Sequence, residues 1–178
     1  LLCYSGLRIG EALGLQWNDF DFTDGTVTVN RSIVYTRANG TGEINTDLKT
    51  ANAHRTVPLP WSVVDEFRRE RAKSRSIWVF TKADGGHHTY RSYRSLWELV
   101  NRRCDPNSKV SQRDCALHVH PHLLRHTCIT RWFEQGLDIK EIQRLAGHAN
   151  ANITLNIYTH YVDAERLQQT AEKIRAAV

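Results

Sequence analysis

The stretch His120–Thr130 reads HPHLLRHTCIT, and its interpretation governs that of the whole chain. Pro121 suits the first position of a helix, where its missing N–H would have gone unbonded anyway. Leu123, Leu124, Cys128, Ile129, Trp132 and Phe133 then place apolar groups on most sides of that helix, the mark of an internal element. Arg125 sits in the middle of it, with His122 three residues earlier on the same face and in the first turn. A buried guanidinium is costly unless it is paired. The chain must therefore supply a carboxylate, or the site awaits an external anion. A helix N-terminus bearing His and Arg suits phosphate, through its free N–H groups and the positive end of its dipole.

Bulk properties are compatible with such an anion. The 178 residues suffice for one domain with a real core, so 1–178 is read as a single unit. The net charge of +5 and pI of about 9.2 suit a polyanionic partner without fixing one. Cys3, Cys104, Cys115 and Cys128 are widely spaced, which points to a reducing cytoplasm rather than a disulfide framework. No apolar run reaches membrane-spanning length, and no signal peptide is visible. The opening LLCYSGLR starts mid-pattern without Met, as expected of a fragment of a longer protein whose upstream part is missing.

Along the chain, residues 1–15 read as helix, turn and helix, with Gly10 and Gly14 letting another backbone come close. Strand signals follow at 26–30, 32–37 and 55–59, where β-branched residues concentrate, and they predict one small antiparallel sheet. Helical spacing covers 61–73 and 89–104, and 77–81 reads as a short extended piece. Asp138 caps a helix to Ala146, with Glu141 completing a capping box, and Gly147 takes the left-handed position after its end. An amphipathic helix is expected over 163–178, suited to docking in cis or on a neighbouring copy. The fold class is mixed α+β, mainly α-helical with a small antiparallel sheet near the N-terminus.

The polar residues that could do chemistry fall in separate elements. Arg8 opens a helix with Glu11 one turn on; Lys49 lies in the loop before the third strand; His148 follows a capped helix; Tyr158 lies ten residues further. With His122 and Arg125 they form a set without a carboxylate cluster, which suits a phosphodiester better than a hydrolase of another kind. Arginine forks match phosphate oxygens in bidentate fashion, and a positioned tyrosine hydroxyl is a competent covalent nucleophile. His118, His120 and His122 alternate as a strand would, beside Cys115, and do not make a closed tetrahedral zinc site. No metal and no cofactor is expected. Taken singly, Arg8–Glu11 is an ordinary surface pair, Lys49 a solvated loop lysine with Lys82 its competitor, and Tyr4, Trp17, Trp97 and Trp132 core residues.

Five stretches in order make the set specific: SGLRIGEALGLQW around Arg8, LKTANAHRTVPLP around Lys49, HPHLLRHT around His122 and Arg125, RLAGH around His148, and TLNIYTH around Tyr158. In these the chain resembles the catalytic domain of tyrosine recombinases, the phage and transposon integrase family, with only residues 82–118 outside the match. The resemblance implies that Tyr158 attacks a scissile DNA phosphate, giving a 3′-phosphotyrosyl link and a free 5′-hydroxyl. It gives Arg8, Arg125 and His148 the non-bridging oxygens, with Glu11 orienting Arg8. It gives His122 proton transfer at the attacking oxygen and Lys49 protonation of the leaving one. Tyr161 is the rival nucleophile, and the YTH context favours Tyr158. Arg55, Arg91 and Arg94 are candidate contacts to double-stranded DNA, a solvated helix face being the equal alternative for the last two. The resemblance further implies a tetramer on synapsed DNA from a chain monomeric alone, in the bacterial cytoplasm, of phage or mobile-element origin. A type IB topoisomerase-like nickase and a catalytically silent DNA-binding regulator are the alternatives.

Overall fold

A computed structural model describes residues 1–36, 40, 42–46, 54–104, 119–150, 152–155, 157, 159 and 174–175, with the side chains of 103 and 104 excepted. The amphipathic helix expected over 163–178 lies almost wholly outside the described residues, as do Lys49, Tyr158 and Tyr161. The chain begins with two short helices, α1 (Leu2–Ser5) and α2 (Ile9–Leu13), followed by a 3-10 turn at Trp17–Asp19. Five short strands come next: β1 (Phe20–Asp21), β2 (Thr26–Val29), β3 (Ser32–Val34), β4 (Glu43–Asn45) and β5 (Arg55–Pro58). Four longer helices follow: α3 (Trp61–Lys73), α4 (Tyr90–Cys104), α5 (Pro121–Glu134) and α6 (Ile139–Ala146). Residues 152–155 are again helical.

The strands form two sheets rather than the one expected. β1, β2 and β5 make an antiparallel sheet in that order, and β3 pairs with β4 in a separate antiparallel hairpin. Strands of two and three residues such as β1 and β4 are too short for alternation to show in sequence, which is why both are new here. Val27 and Val57 face one another across the register and are fully buried, as is Val29. Their face joins Leu59 and Val64 and, through one continuous core, Leu7, Leu15, Ile129, Trp132 and Ile142. The extended piece near 77–81 is a single bridge, Trp78 to Gln16.

Gly10 carries out the close approach expected of it. A Cβ there would lie 2.6 Å from the carbonyl oxygen of Ile33, so α2 rests on β3 backbone against backbone. α5 is less uniformly buried than its composition suggests, because Leu123 in its first turn is exposed. Tyr4, expected in the core, is 44% exposed and lies under the guanidinium of Arg131, 5.6 Å from its ring centre. Among the described residues, no helix is long and apolar enough to cross a membrane.

Candidate functional site at the end of helix α6

A helix leaves its last four carbonyls without intrahelical partners, and they carry the negative end of its dipole. α6 is built to stop sharply. Asp138 accepts a hydrogen bond from the Lys140 N–H at 2.8 Å, two residues on rather than at the third residue of a capping box. Gly147 closes the other end in the left-handed region, at φ 66°, a conformation that favours glycine. Its N–H donates to Arg144 O and Gln143 O, and the N–H of His148 donates to Gln143 O at 3.1 Å.

Each of the next three carbonyls accepts from a different arginine. Arg55 Nε donates to Leu145 O at 2.7 Å, Arg125 Nη2 to Ala146 O at 2.6 Å, and Arg8 Nη2 to Gly147 O at 2.7 Å. Arg125 Nη1 donates in addition to Gly6 O, the residue that ends α1. Three guanidinium groups from β5, α5 and the start of α2 thus converge on the end of one helix. The cationic side chains and the negative dipole end stabilise each other.

Glu11 holds two of the three in place. It lies one turn into α2, is 4% exposed, and its Oε2 accepts the Arg8 backbone N–H at 2.8 Å. Its Oε1 accepts from Arg8 Nη1 at 2.9 Å, and the two oxygens take the Arg55 fork at 3.1 and 2.8 Å. Burial alone would raise the Glu11 pKa; the Arg55 bonds and charge, with help from Arg8, hold it below the ordinary value instead. Arg55 itself is 6% exposed, so its expected place on a DNA-facing surface gives way to an inward one. It ties β5, α2 and α6 together, and presenting it to DNA would break the three hydrogen bonds to Leu145 and Glu11.

Arg125 is also buried, at 6% exposure. Burial first, and then the neighbouring charge of Arg8, push its pKa down to about 10, against the opposing pull of Glu11. Among the described residues, two of its five N–H groups are engaged by backbone carbonyls and none by a carboxylate. Beside it His148 is 4% exposed, with Nδ1 2.8 Å from Thr154 Oγ1. Burial, followed by the charges of Arg125, Arg8 and Arg55, lowers the His148 pKa to about 4, so its ring is neutral near pH 7.

The remaining candidates are placed as follows. His122 is exposed in the first turn of α5, one turn ahead of Arg125. His120, weighed above only as a metal ligand, caps α5 through Nδ1, which accepts from the Leu123 N–H at 3.2 Å. Arg91 and Arg94 are exposed on α4, Arg94 lying 3.9 Å from Glu98, and neither is bonded to the arginine cluster. Lys82 is held in its own loop by Asp84 at 2.7 Å. The structure therefore brings together Arg8, Glu11, Arg55, Arg125 and His148. It adds Thr154, which sequence reasoning passed over although it lies within the TLNIYTH stretch.

The family model described as the phage integrase family matches residues 1–165. The chain belongs to the phage integrase family. Among the relatives of this integrase-family chain is the tyrosine recombinase XerC-like protein of Caldanaerobacter subterraneus subsp. tengcongensis, 31% identical in an alignment 173 residues long that covers 91% of this chain and 44% of that protein. The integrase of Staphylococcus phage L54a is 27% identical, over 96% of this chain and 49% of its own length. The chain spans about half the length of the curated relatives it matches. The fold is that of the Tn1549 transposon integrase solved with transposon right-end DNA, with TM-score 0.73, 24% identity, and coverage of 94% of this chain and 56% of that one. The crystal structure of the XerA recombinase aligns with TM-score 0.65 at 22% identity, over 94% of this chain and 55% of that one.

Proposed function

We propose that residues 1–178 act as the catalytic domain of a site-specific DNA recombinase or integrase that cuts and rejoins strands through a 3′-phosphotyrosyl intermediate. The observation that carries this reading is the convergence of Arg8 and Arg125 on the end of α6, beside a neutral His148. Such a site offers charge and hydrogen-bond donors held in place before any substrate arrives, which is what developing charge on a pentavalent phosphorus needs.

In this reading Arg8, Arg125 and His148 bind the non-bridging oxygens. Tyr158 Oη forms a bond to phosphorus as the bond from phosphorus to the 5′-oxygen breaks. The tyrosine proton leaves by way of His122, and Lys49 protonates the departing 5′-oxygen. A 5′-hydroxyl of the partner strand then attacks the phosphotyrosine and releases Tyr158. Phosphoester energy is kept in the covalent link, so neither ATP nor a metal is called for. An unperturbed tyrosine has pKa ~10 and lysine ~10.4, so both are tuned in the assembled complex. The partners are double-stranded DNA and further copies of the chain, four on a synapsed pair of sites, in a bacterial cytoplasm. Arg91 and Arg94 on the exposed face of α4 contact the DNA backbone.

Covalent capture tests this. The protein mixed with a nicked duplex carrying a bridging 5′-phosphorothioate should yield an SDS-stable adduct, absent in Tyr158→Phe. An adduct that survives Tyr158→Phe, or none from the full-length wild-type protein, overturns the reading.

A further inference from the structure

His148 shares a hydrogen with Thr154, and which of the two owns it decides what the histidine can do. Thr154 lies in the helical residues 152–155 and is fully buried. The usual partner of a helical threonine hydroxyl is the carbonyl four residues back. Two other threonines of this chain make that bond: Thr127 Oγ1 donates to Leu123 O at 2.9 Å, and Thr159 Oγ1 to Leu155 O at 2.9 Å. Thr154 departs from the pattern, pairing instead with His148 Nδ1 at 2.8 Å.

A hydroxyl carries one hydrogen, and among the described residues that ring nitrogen is its one acceptor. If Nδ1 held its own hydrogen and donated it, the Thr154 hydrogen would be buried without a partner, the arrangement proteins avoid. The reverse assignment satisfies both groups. Thr154 donates, Nδ1 accepts, and the neutral ring then carries its hydrogen on Nε2.

We propose that Thr154 is a positioning residue that fixes His148 in the Nε2–H tautomer, so that His148 serves as a hydrogen-bond donor to the phosphate and not as a base. The assignment rests on the recombinase reading of the site for its purpose, though not for its geometry. It also separates the two histidines of the site. His148 supplies a donor from a buried, pre-set ring, and proton transfer is left to the exposed His122.

The test is a long-range 1H–15N correlation spectrum of the full chain without DNA, with His148 assigned by its loss in His148→Gln. An unprotonated Nδ1 and a protonated Nε2 are expected; the opposite pattern in the wild type overturns the proposal. Thr154→Val keeps the shape and removes the hydroxyl, and it should mix the two tautomers and slow adduct formation by on the order of 10²-fold, the scale of losing one preorganised donor. Thr154→Ser should restore both the spectrum and the rate to within a few-fold. A Thr154→Val protein with wild-type tautomer and wild-type rate would overturn the assignment. The wild-type spectrum needs neither DNA nor catalysis, so it decides the tautomer whether or not the adduct on which the recombinase reading rests is formed.

Discussion

Glu11→Gln is the substitution that probes the site's architecture most directly. The carboxylate accepts four hydrogen bonds, two from Arg55 and two from Arg8, and two of the three guanidinium groups at the end of α6 depend on it. A glutamine of the same shape offers one oxygen, turns an N–H2 group toward the Arg55 fork, and removes the negative charge. Removing one partner of a buried pair costs about 3–5 kcal/mol, and the retained amide oxygen should bring the loss nearer 3 than 5. Against a total stability of about 5–15 kcal/mol that is a large fraction. Urea denaturation of wild type, Glu11→Gln, Arg55→Met and the double variant would measure it. The double variant should recover at least about 1.5 kcal/mol relative to additivity, because its uncompensated buried charge is gone. Because the folded Glu11 pKa is held below its ordinary 4.5, this stability is complete above that pH and fades as the pH falls through the folded value. A Glu11→Gln protein within about 1 kcal/mol of wild type at pH 7 would refute the view that Glu11 organises the arginines, since so small a loss belongs to exposed pairs.

Three further outcomes follow from the geometry. Gly10→Ala should lose about 1–3 kcal/mol, read as a fall in thermal midpoint, because its Cβ meets the Ile33 carbonyl oxygen at 2.6 Å and backbone cannot swing aside; an unchanged midpoint would mean that α2 and β3 separate freely. His148 titrates from about 4 in the folded chain against an ordinary 6.5, so the unfolded chain takes the proton first and stability falls as pH drops from 6.5 toward 4. The slope should approach about 1.4 kcal/mol per pH unit midway and flatten in His148→Gln, measured from urea midpoints; an identical slope in both proteins would show the ring to be solvated. Arg91→Ala with Arg94→Ala should weaken duplex binding at every sequence and reduce the slope of log K against log salt by about 1.8, the release of two counterions; an unchanged slope would remove α4 from the interface.

Much of the local structure was legible in the residues themselves. Pro121 marked the start of α5, Asp138 and Gly147 bracketed α6, and Trp61–Lys73 showed its helix in full, because caps and periodicity act over a few neighbours. The ordered stretches around Arg8, His122, Arg125 and His148 marked the candidate site and the family to which the chain belongs. Lys49 and Tyr158 belong to the same set of stretches and lie outside the described residues.

What the tertiary structure alone decided is how the buried charges are satisfied. The sequence posed a choice for Arg125 between an internal carboxylate and an external anion. The folded chain answers first with two main-chain carbonyls, Gly6 and Ala146, lying 119 and 21 residues away. Arg55, read as a surface contact, is instead turned inward onto Leu145 and Glu11. No pattern of residues could announce either arrangement, since every residue has a carbonyl oxygen and the packed chain decides which of them, and which carboxylate, an arginine meets. Which arginine reaches that end is set by how α1, α2, β5 and α5 close around α6, and that is a property of the packed chain.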